Sequence, residues 1–427
     1  MGELAILIII LLFVAFVLRV DFIFYIVYVC VGIYLWNRFY TPYSLRHLRA
    51  EREYTDRAFL GEPVEVTVRL YNDNRLAIPW LEFNETVAVE LQRQARMNRV
   101  LTLRSRDTAE FTYTVRGQRR GYYQLGPLRL KTSDLFGLLN DYTGYLDPNY
   151  LTIYPRITPL SQLGLPSRLP FGTIASRQQL FADPARPQGV RDFRAGDPLH
   201  QINWKVTAHT QKLMVKTFQP AISLETAVLL NLYQDDYHAH SRYETVEWAI
   251  ELAASLAAHL VEQRQAVGLI SNGVDPILLH SDTEKRPFDE VSGRLQWRGQ
   301  LRREQNPAHF MPPAITPRTG RGQLMKILEQ LARLEAEKTH PFLAWAPLAL
   351  NSLNWGVTVL TISPKGDEAT CQMLHGLVRR GLNPILIVTQ PDYSFGQVQQ
   401  RARQLGFRAY NVAYKRHLDP WRKARST

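Results

Sequence analysis

Cysteine is nearly absent: 427 residues hold two, Cys30 and Cys371. That excludes a disulfide framework and fits a reducing compartment. The openly displayed catalytic signatures are missing as well, with no Gly-x-x-x-x-Gly-Lys loop, no Gly-x-Ser-x-Gly elbow, no His-Glu-x-x-His helix and no Cys-x-x-Cys pair. Each is short because its chemistry needs those side chains or that bare backbone at fixed spacing, so its absence is informative. The reading is of a protein that is not an enzyme and uses no cofactor.

Lysine and arginine outnumber acids by 51 to 39, a formal charge of +12. The basic residues are dispersed, and no zinc-knuckle, RNP or helix-turn-helix pattern accompanies them, so nucleic acid is not expected as a partner. The densest cluster is the tail Lys415, Arg416, Arg422, Lys423 and Arg425. It reads either as an anchor for acidic lipid or as a solvated end.

Apolar residues crowd the first fifty positions, in two runs, Leu4 to Leu18 and Phe22 to Trp36, parted by Arg19 and Asp21. One helix through both would extend roughly 50 Å, too long for a hydrocarbon core of about 30 Å, so the expectation is a two-span transmembrane hairpin. No basic leader or small-residue cleavage site marks a signal peptide. Arg38, Arg46, Arg49 and Arg52 follow the second run. By the positive-inside rule the bulk of the chain is then cytoplasmic, in a multi-pass protein of the bacterial cell membrane with lipid as one partner.

Residues 41–160 read as an antiparallel β-sandwich. Val64, Val66, Val68 and Leu70 alternate with polar neighbours, the period of a strand with one buried face. The pattern returns in Phe111, Tyr113 and Val115 and in Leu128 and Leu130, with turns at Asn72-Asp73-Asn74, Arg116-Gly117 and Gly126-Pro127. Residues 221–427 have a different grammar. Ala227 to Leu230, Val267 to Ile270, Val357 to Ile362 and Pro384 to Val388 are compact apolar runs, suited to strands buried on both faces. Between them Ser241 with Glu244 forms a capping-box pattern ahead of a helical stripe from Val246 to Leu260, and Asp367 to Arg380 reads as a helix closed by Gly381. This alternation predicts a doubly wound parallel sheet. Ser281 to Gly322, with Pro312, Pro313 and Pro317, reads as a long irregular excursion.

The segment 161–220 links the two modules. It contains Val190-Arg191-Asp192-Phe193, then Gly196-Asp197 and Ile202-Asn203-Trp204. With Arg119 to Pro127, Asp134-Leu135-Phe136-Gly137-Leu138 and Leu151 to Leu160, it resembles the bacterial domain-of-unknown-function family number fifty-eight, whose members are often encoded beside MoxR-type AAA+ ATPases. The resemblance implies a two-span anchor, a sandwich and a von Willebrand factor A-like domain. Metal-binding domains of that kind carry Asp-x-Ser-x-Ser after the first strand, because Mg²⁺ needs hard oxygens in octahedral array. Here that stretch is Asn231-Leu232-Tyr233-Gln234-Asp235, without both serines and the leading aspartate. Asp235, Asp236, His238 and His240 in the same loop are either a replacement set of metal ligands or a polar, solvated connection.

The signature residues Arg191, Asp192, Arg194, Gly196, Asp197, Trp204 and Lys205 also admit two readings. One is an ion network at a joint between modules, with Trp204 packed beneath it. The other is a docking surface for a partner protein, where Arg and Trp are favoured anchors. His200 and His209 flank the segment without a nucleophile or acid in register. The overall expectation is a membrane-anchored scaffold or adaptor that partners an AAA+ ATPase. The alternatives are a metal-dependent enzyme using the 235–240 loop and a basic nucleic-acid or lipid-surface binder.

Overall fold

The computed structural model describes residues 2–18, 21–93, 98–132, 142–158, 182–193, 202–220, 225–279, 288, 294–295, 306–390 and 394–413. They form two compact units. The first comprises Met1–Arg156, Asp275–Gln305 and Leu328–Glu335, the second Ile157–Val274, Asn306–Ile327 and Ala336–Thr427.

In the first unit the apolar runs at the start become two helices in contact, α1 (Gly2–Leu18) and α2 (Asp21–Arg46). Neither meets the demands of a bilayer: among the described residues, no helix is long and apolar enough to cross a membrane. The 17 residues of α1 span only about 26 Å at about 1.5 Å per residue. The longer α2 dilutes its apolar positions with Asp21, Asn37, Arg38, Ser44 and Arg46. This corrects the expected transmembrane hairpin, and with it the multi-pass membrane location and the lipid partner held through two helices. The basic tail from Lys415 onward lies outside the described residues.

After the helices come β1 (Leu48–Tyr54), β2 (Arg57–Phe59), β3 (Pro63–Asn72), β4 (Ile78–Val87), β5 (Leu91–Arg93), β6 (Asn98–Leu103), β7 (Thr108–Gly117), β8 (Gly121–Thr132), β9 (Tyr142–Leu146) and β10 (Asn149–Tyr154). One sheet has the order β1-β3-β7-β5 and the other β2-β10-β8-β4-β6, with β9 added to β8. The alternation read at Val64 to Leu70 runs through β3, whose Val66, Val68 and Leu70 are wholly buried. Phe83 from β4, Tyr113 from β7, Leu128 from β8 and Ile153 from β10 join them in one core. The architecture is not purely antiparallel, because β2 pairs with β10 in parallel register, Ala58 opposite Ile153.

Arg52 on β1 and Glu85 on β4 form an ion pair at 2.5 Å with both side chains at 0% exposure. A desolvated pair of this kind is costly to break, since either partner left alone is a buried, uncompensated charge.

The second unit holds β11 (Ala182–Asp192), α3 (Trp204–Thr210), β12 (Met214–Pro220), β13 (Glu225–Leu230), α4 (Arg242–Glu262), β14 (Ala266–Ser271) and β15 (Ile315–Arg318). Helix α5 (Arg321–Arg333) follows, with its residues up to Ile327 in this unit and the rest in the first, then α6 (Phe342–Ala349), β16 (Thr358–Ser363), α7 (Glu368–Arg379), β17 (Asn383–Val388), α8 (Phe395–Gln404) and β18 (Arg408–Asn411). The main sheet has the order β15-β14-β13-β16-β17-β18. All of its pairings are parallel except β14 with β15, so the sheet is mixed rather than all-parallel.

The exception comes from inside the stretch read as irregular. There Pro307–Phe310 forms a short 3-10 turn and Ile315–Arg318 the antiparallel edge strand. Edge placement tolerates Pro317, which has no N–H to give a ladder. Much of the rest of 281–322 lies outside the described residues.

Ala227, Leu229, Val359, Leu386 and Val388 turn to one face of this sheet, where residues of α6, α7 and α8 complete a core. Helix α4 contacts β13, β14 and β16, and none of its residues joins that core, so it covers the opposite face. Its stripe Ala249, Ile250, Ala253, Leu256, Ala257 and Leu260 is wholly buried, each large side chain contributing about 1.5–3 kcal/mol. Ser241 stands at its N-cap, but its hydroxyl makes no cap hydrogen bond, so the expected capping box is not made. Asp367 does cap α7, its carboxylate accepting from the Thr370 N–H at 2.9 Å. Gly381 turns the chain after α7 at φ +81, where a Cβ would lie 1.7 Å from Trp355 Nε1, so only glycine fits.

Candidate functional site

The parallel strands reverse direction of progress between β13 and β16, the place in an open α/β sheet where loops at the carboxyl edge part to admit ligands. Asn231 sits there, one residue beyond β13, and its N–H bonds Ile362 O at 2.9 Å. Its buried amide Nδ2 donates to Asp236 Oδ2 at 2.9 Å and Ser363 Oγ at 3.3 Å. Its Oδ1 accepts from the Tyr233 N–H at 3.0 Å and from Asn272 Nδ2 at 3.3 Å. Tyr237 folds under the loop, its hydroxyl donating to Asn231 O at 2.5 Å, and burial holds its ionisation far above the usual tyrosine range, reinforced by Asp236. The Asn272 carbonyl and side chain are likewise engaged by Thr339 and His340.

The loop after β13 is therefore tied down by neutral amides. Of the four candidate metal ligands, Asp236 turns to Asn231, and Asp235 pairs with Lys338 Nζ at 3.0 Å. His238 and His240 are exposed. Among the described residues, no group of three or more His, Cys, Asp or Glu side chains is placed to hold a metal ion.

The signature stretch folds as a hairpin of β11 and β12, with Arg191 opposite Val215 and Asp192 opposite Met214. Between them α3 is capped by Asn203, whose side chain accepts from the Val206 N–H. Ile202 and Val215 bridge and are buried, fixing the helix to the hairpin. Trp204 is not packed beneath an ion network: it is 66% exposed. Lys205, Arg191 and Asp192 are exposed too, as are Val190 and Leu213. Arg191 Nη1 donates to Asp192 O at 3.0 Å. Arg194, Gly196, Asp197 and His200 lie outside the described residues, as do Asp134 to Leu138. His209 is exposed in the last turn of α3.

Sequence reading passed over Lys365, Gln390 and Arg401, which line a cleft at the same sheet edge. Lys365 comes from the connection after β16, Gln390 from the one after β17 and Arg401 from helix α8 itself, and only the Lys365-Gly366-Asp367 step between an apolar strand and a helix offered a local signal.

Residues 189–289 match a family model described as protein of unknown function DUF58, in agreement with the resemblance carried by the signature. The chain is 22% identical over 199 residues to the uncharacterized protein YeaD of Bacillus subtilis (strain 168), covering 47% of this chain and 42% of that protein. The chain thus spans less than half the length of that relative. Among solved structures, it is similar at 12% identity and TM-score 0.18 to the CARDB domain of a Pyrococcus furiosus protein in complex with di-metal ions, over 25% of this chain and 86% of that one. It is similar at 8% identity and TM-score 0.19 to the GH20 exo β-N-acetylglucosaminidase of Vibrio harveyi, over 86% of this chain and 75% of that one. Likenesses this weak carry no inference about fold or activity.

Proposed function

We propose that this protein works without catalysis, by binding another protein through the hairpin of β11 and β12 and the short helix α3. The observation that carries the reading is the exposure of Trp204 at 66%, with Val190 and Leu213 also open to solvent. Large aromatic and aliphatic side chains left in water on a segment that also exposes Arg191 and Lys205 have the composition of an interface anchor. The self-satisfied loop at 231–238 supports the same reading, since Asn231 spends its Nδ2 on Asp236 and Ser363 and its Oδ1 on Tyr233 and Asn272. The partner we favour is a MoxR-type AAA+ ATPase, on the strength of the family resemblance, and the protein's role would then be that of an adaptor or scaffold.

The experiment is an affinity titration of the full chain against such an ATPase, by biolayer interferometry. Replacing Trp204 with Ala weakens binding by at least about tenfold, the loss of one interface anchor. Wild-type protein that does not bind, or a Trp204→Ala variant that binds equally well, overturns the reading.

A further inference from the structure

Three connections at the carboxyl edge of the main sheet enclose a cleft of about 280 Å³, away from the signature hairpin in sequence and composition. Strand β16 runs into Pro364-Lys365-Gly366-Asp367, β17 into Thr389-Gln390, and α8 contributes Gln397 and Arg401, while His238 reaches in from the loop after β13. Gly366 lets the first connection lie against α8: a Cβ there would stand 2.8 Å from Val398 Cγ1.

We infer that this cleft binds a small phosphorylated molecule through its phosphoryl group. The carrying observation is Gln390. Its residue is 2% exposed, it lines the cleft, and both Nε2 and Oε1 are buried with no hydrogen-bond partner among the described residues. Buried amides are almost always satisfied, so an idle one on a cleft wall marks where a ligand's polar atoms belong.

Charge and backbone say which ligand. Lys365 and Arg401 flank the cleft, with His238 at its rim. The acid there, Asp367, already spends its Oδ1 on the Thr370 N–H. Helix α8, ten residues long, begins at this cleft with Ser394 at the N-cap, no side-chain cap and no acidic residue in its first turn. Such a terminus presents N–H groups and a partial positive charge to an anion. The Gln390 amide asks for both an acceptor and a donor. Sulfate supplies acceptors only, whereas hydrogen phosphate or a hydroxyl-bearing phosphate ester supplies both. The volume holds a phosphoryl group with a short substituent, a water taking about 30 Å³ of liquid.

Calorimetric titration of the full chain with inorganic phosphate, at fixed ionic strength and with sulfate as comparator, tests the site. The expected result is one saturable phosphate site per chain, with sulfate weaker. Arg401→Gln and Gln390→Leu each lower phosphate affinity by at least about tenfold, the scale of one charge-assisted contact. If Gln390→Leu does not fold, Lys365→Ala, altered at a half-buried side chain, takes its place. Trp204→Ala leaves phosphate binding unchanged, which separates this site from the docking face. An absence of saturable binding overturns the inference, as does binding that is the same in all variants.

Discussion

Asn231 Nδ2 donates to Asp236 Oδ2 at 2.9 Å while Asn231 Oδ1 accepts from the Tyr233 N–H at 3.0 Å. One amide serves as donor and acceptor at once, which an ionised carboxylate cannot do. Asn231→Asp therefore removes the donor and sets two carboxylates together, costing about 1–3 kcal/mol at neutral pH. Like charges at this range raise the ionisation of at least one acid in the folded state. A raised acid pKa contributes stability that is present below its unfolded value, about 4, and lost as pH rises through the folded one. The deficit of the variant against wild type is thus largest near pH 7 and smallest near pH 4. Urea unfolding at both pH values measures it, and a deficit independent of pH refutes the arrangement.

The buried pair Arg52–Glu85 gives a second expectation. With both side chains at 0% exposure, Glu85→Ala strands the guanidinium and costs about 3–5 kcal/mol, while the double change Arg52→Met with Glu85→Leu is close to neutral. Denaturant midpoints of Glu85→Ala and of the double variant decide it: equal losses in both mean that packing, not charge, holds this site.

The central strands were legible because burial on both faces leaves compact apolar runs: Ala227 to Leu230, Val357 to Ile362 and Pro384 to Val388 all lie within β13, β16 and β17 or at their margins. The strand β3 was legible from its alternation. Ile315-Thr316-Pro317-Arg318 was not, because four residues with an internal proline carry no period, and its pairing to β14 depends on contacts distant in sequence. The first two apolar runs were correctly read as helices and wrongly as spans, since composition does not set the 17-residue limit of α1. For Trp204 the sequence left two readings open, packed beneath charges or exposed as an anchor, because only the folded helix, which buries no residue, shows which way its ring faces. The cleft was hidden for a different reason: Lys365, Gln390 and Arg401 meet only when the sheet order brings two connections and helix α8 to one edge.

His259, in the last turn of α4, has its ionisation lowered by burial, with Glu262 pulling the other way. Its ring Nε2 lies 2.8 Å from Gln263 Nε2. A folded pKa below the unfolded value of about 6.5 means that the unfolded chain takes up the proton first. The stability this group supplies is present above pH of about 6.5 and is lost as pH falls through the folded value. Replacing His259 with Gln removes that slope, so wild-type and variant melting temperatures converge on one side of the window and separate on the other. Parallel pH profiles of the two proteins contradict this.

The reading of the signature hairpin rests on a difference between neighbours. Trp204 is 66% exposed, whereas Val215, which bridges to Ile202 two residues away from it, is 1% exposed. Trp204→Ala then changes stability by no more than about 0.5 kcal/mol, as surface changes do, while Val215→Ala costs about 1–3 kcal/mol through a cavity. Denaturant unfolding of the two variants makes the comparison. If Trp204→Ala unfolds as easily as Val215→Ala, the indole is a packing residue and any loss of partner binding follows from a loosened hairpin. If its midpoint is that of wild type, a loss of partner binding belongs to the exposed ring itself, because the helix and strands that present it are unchanged.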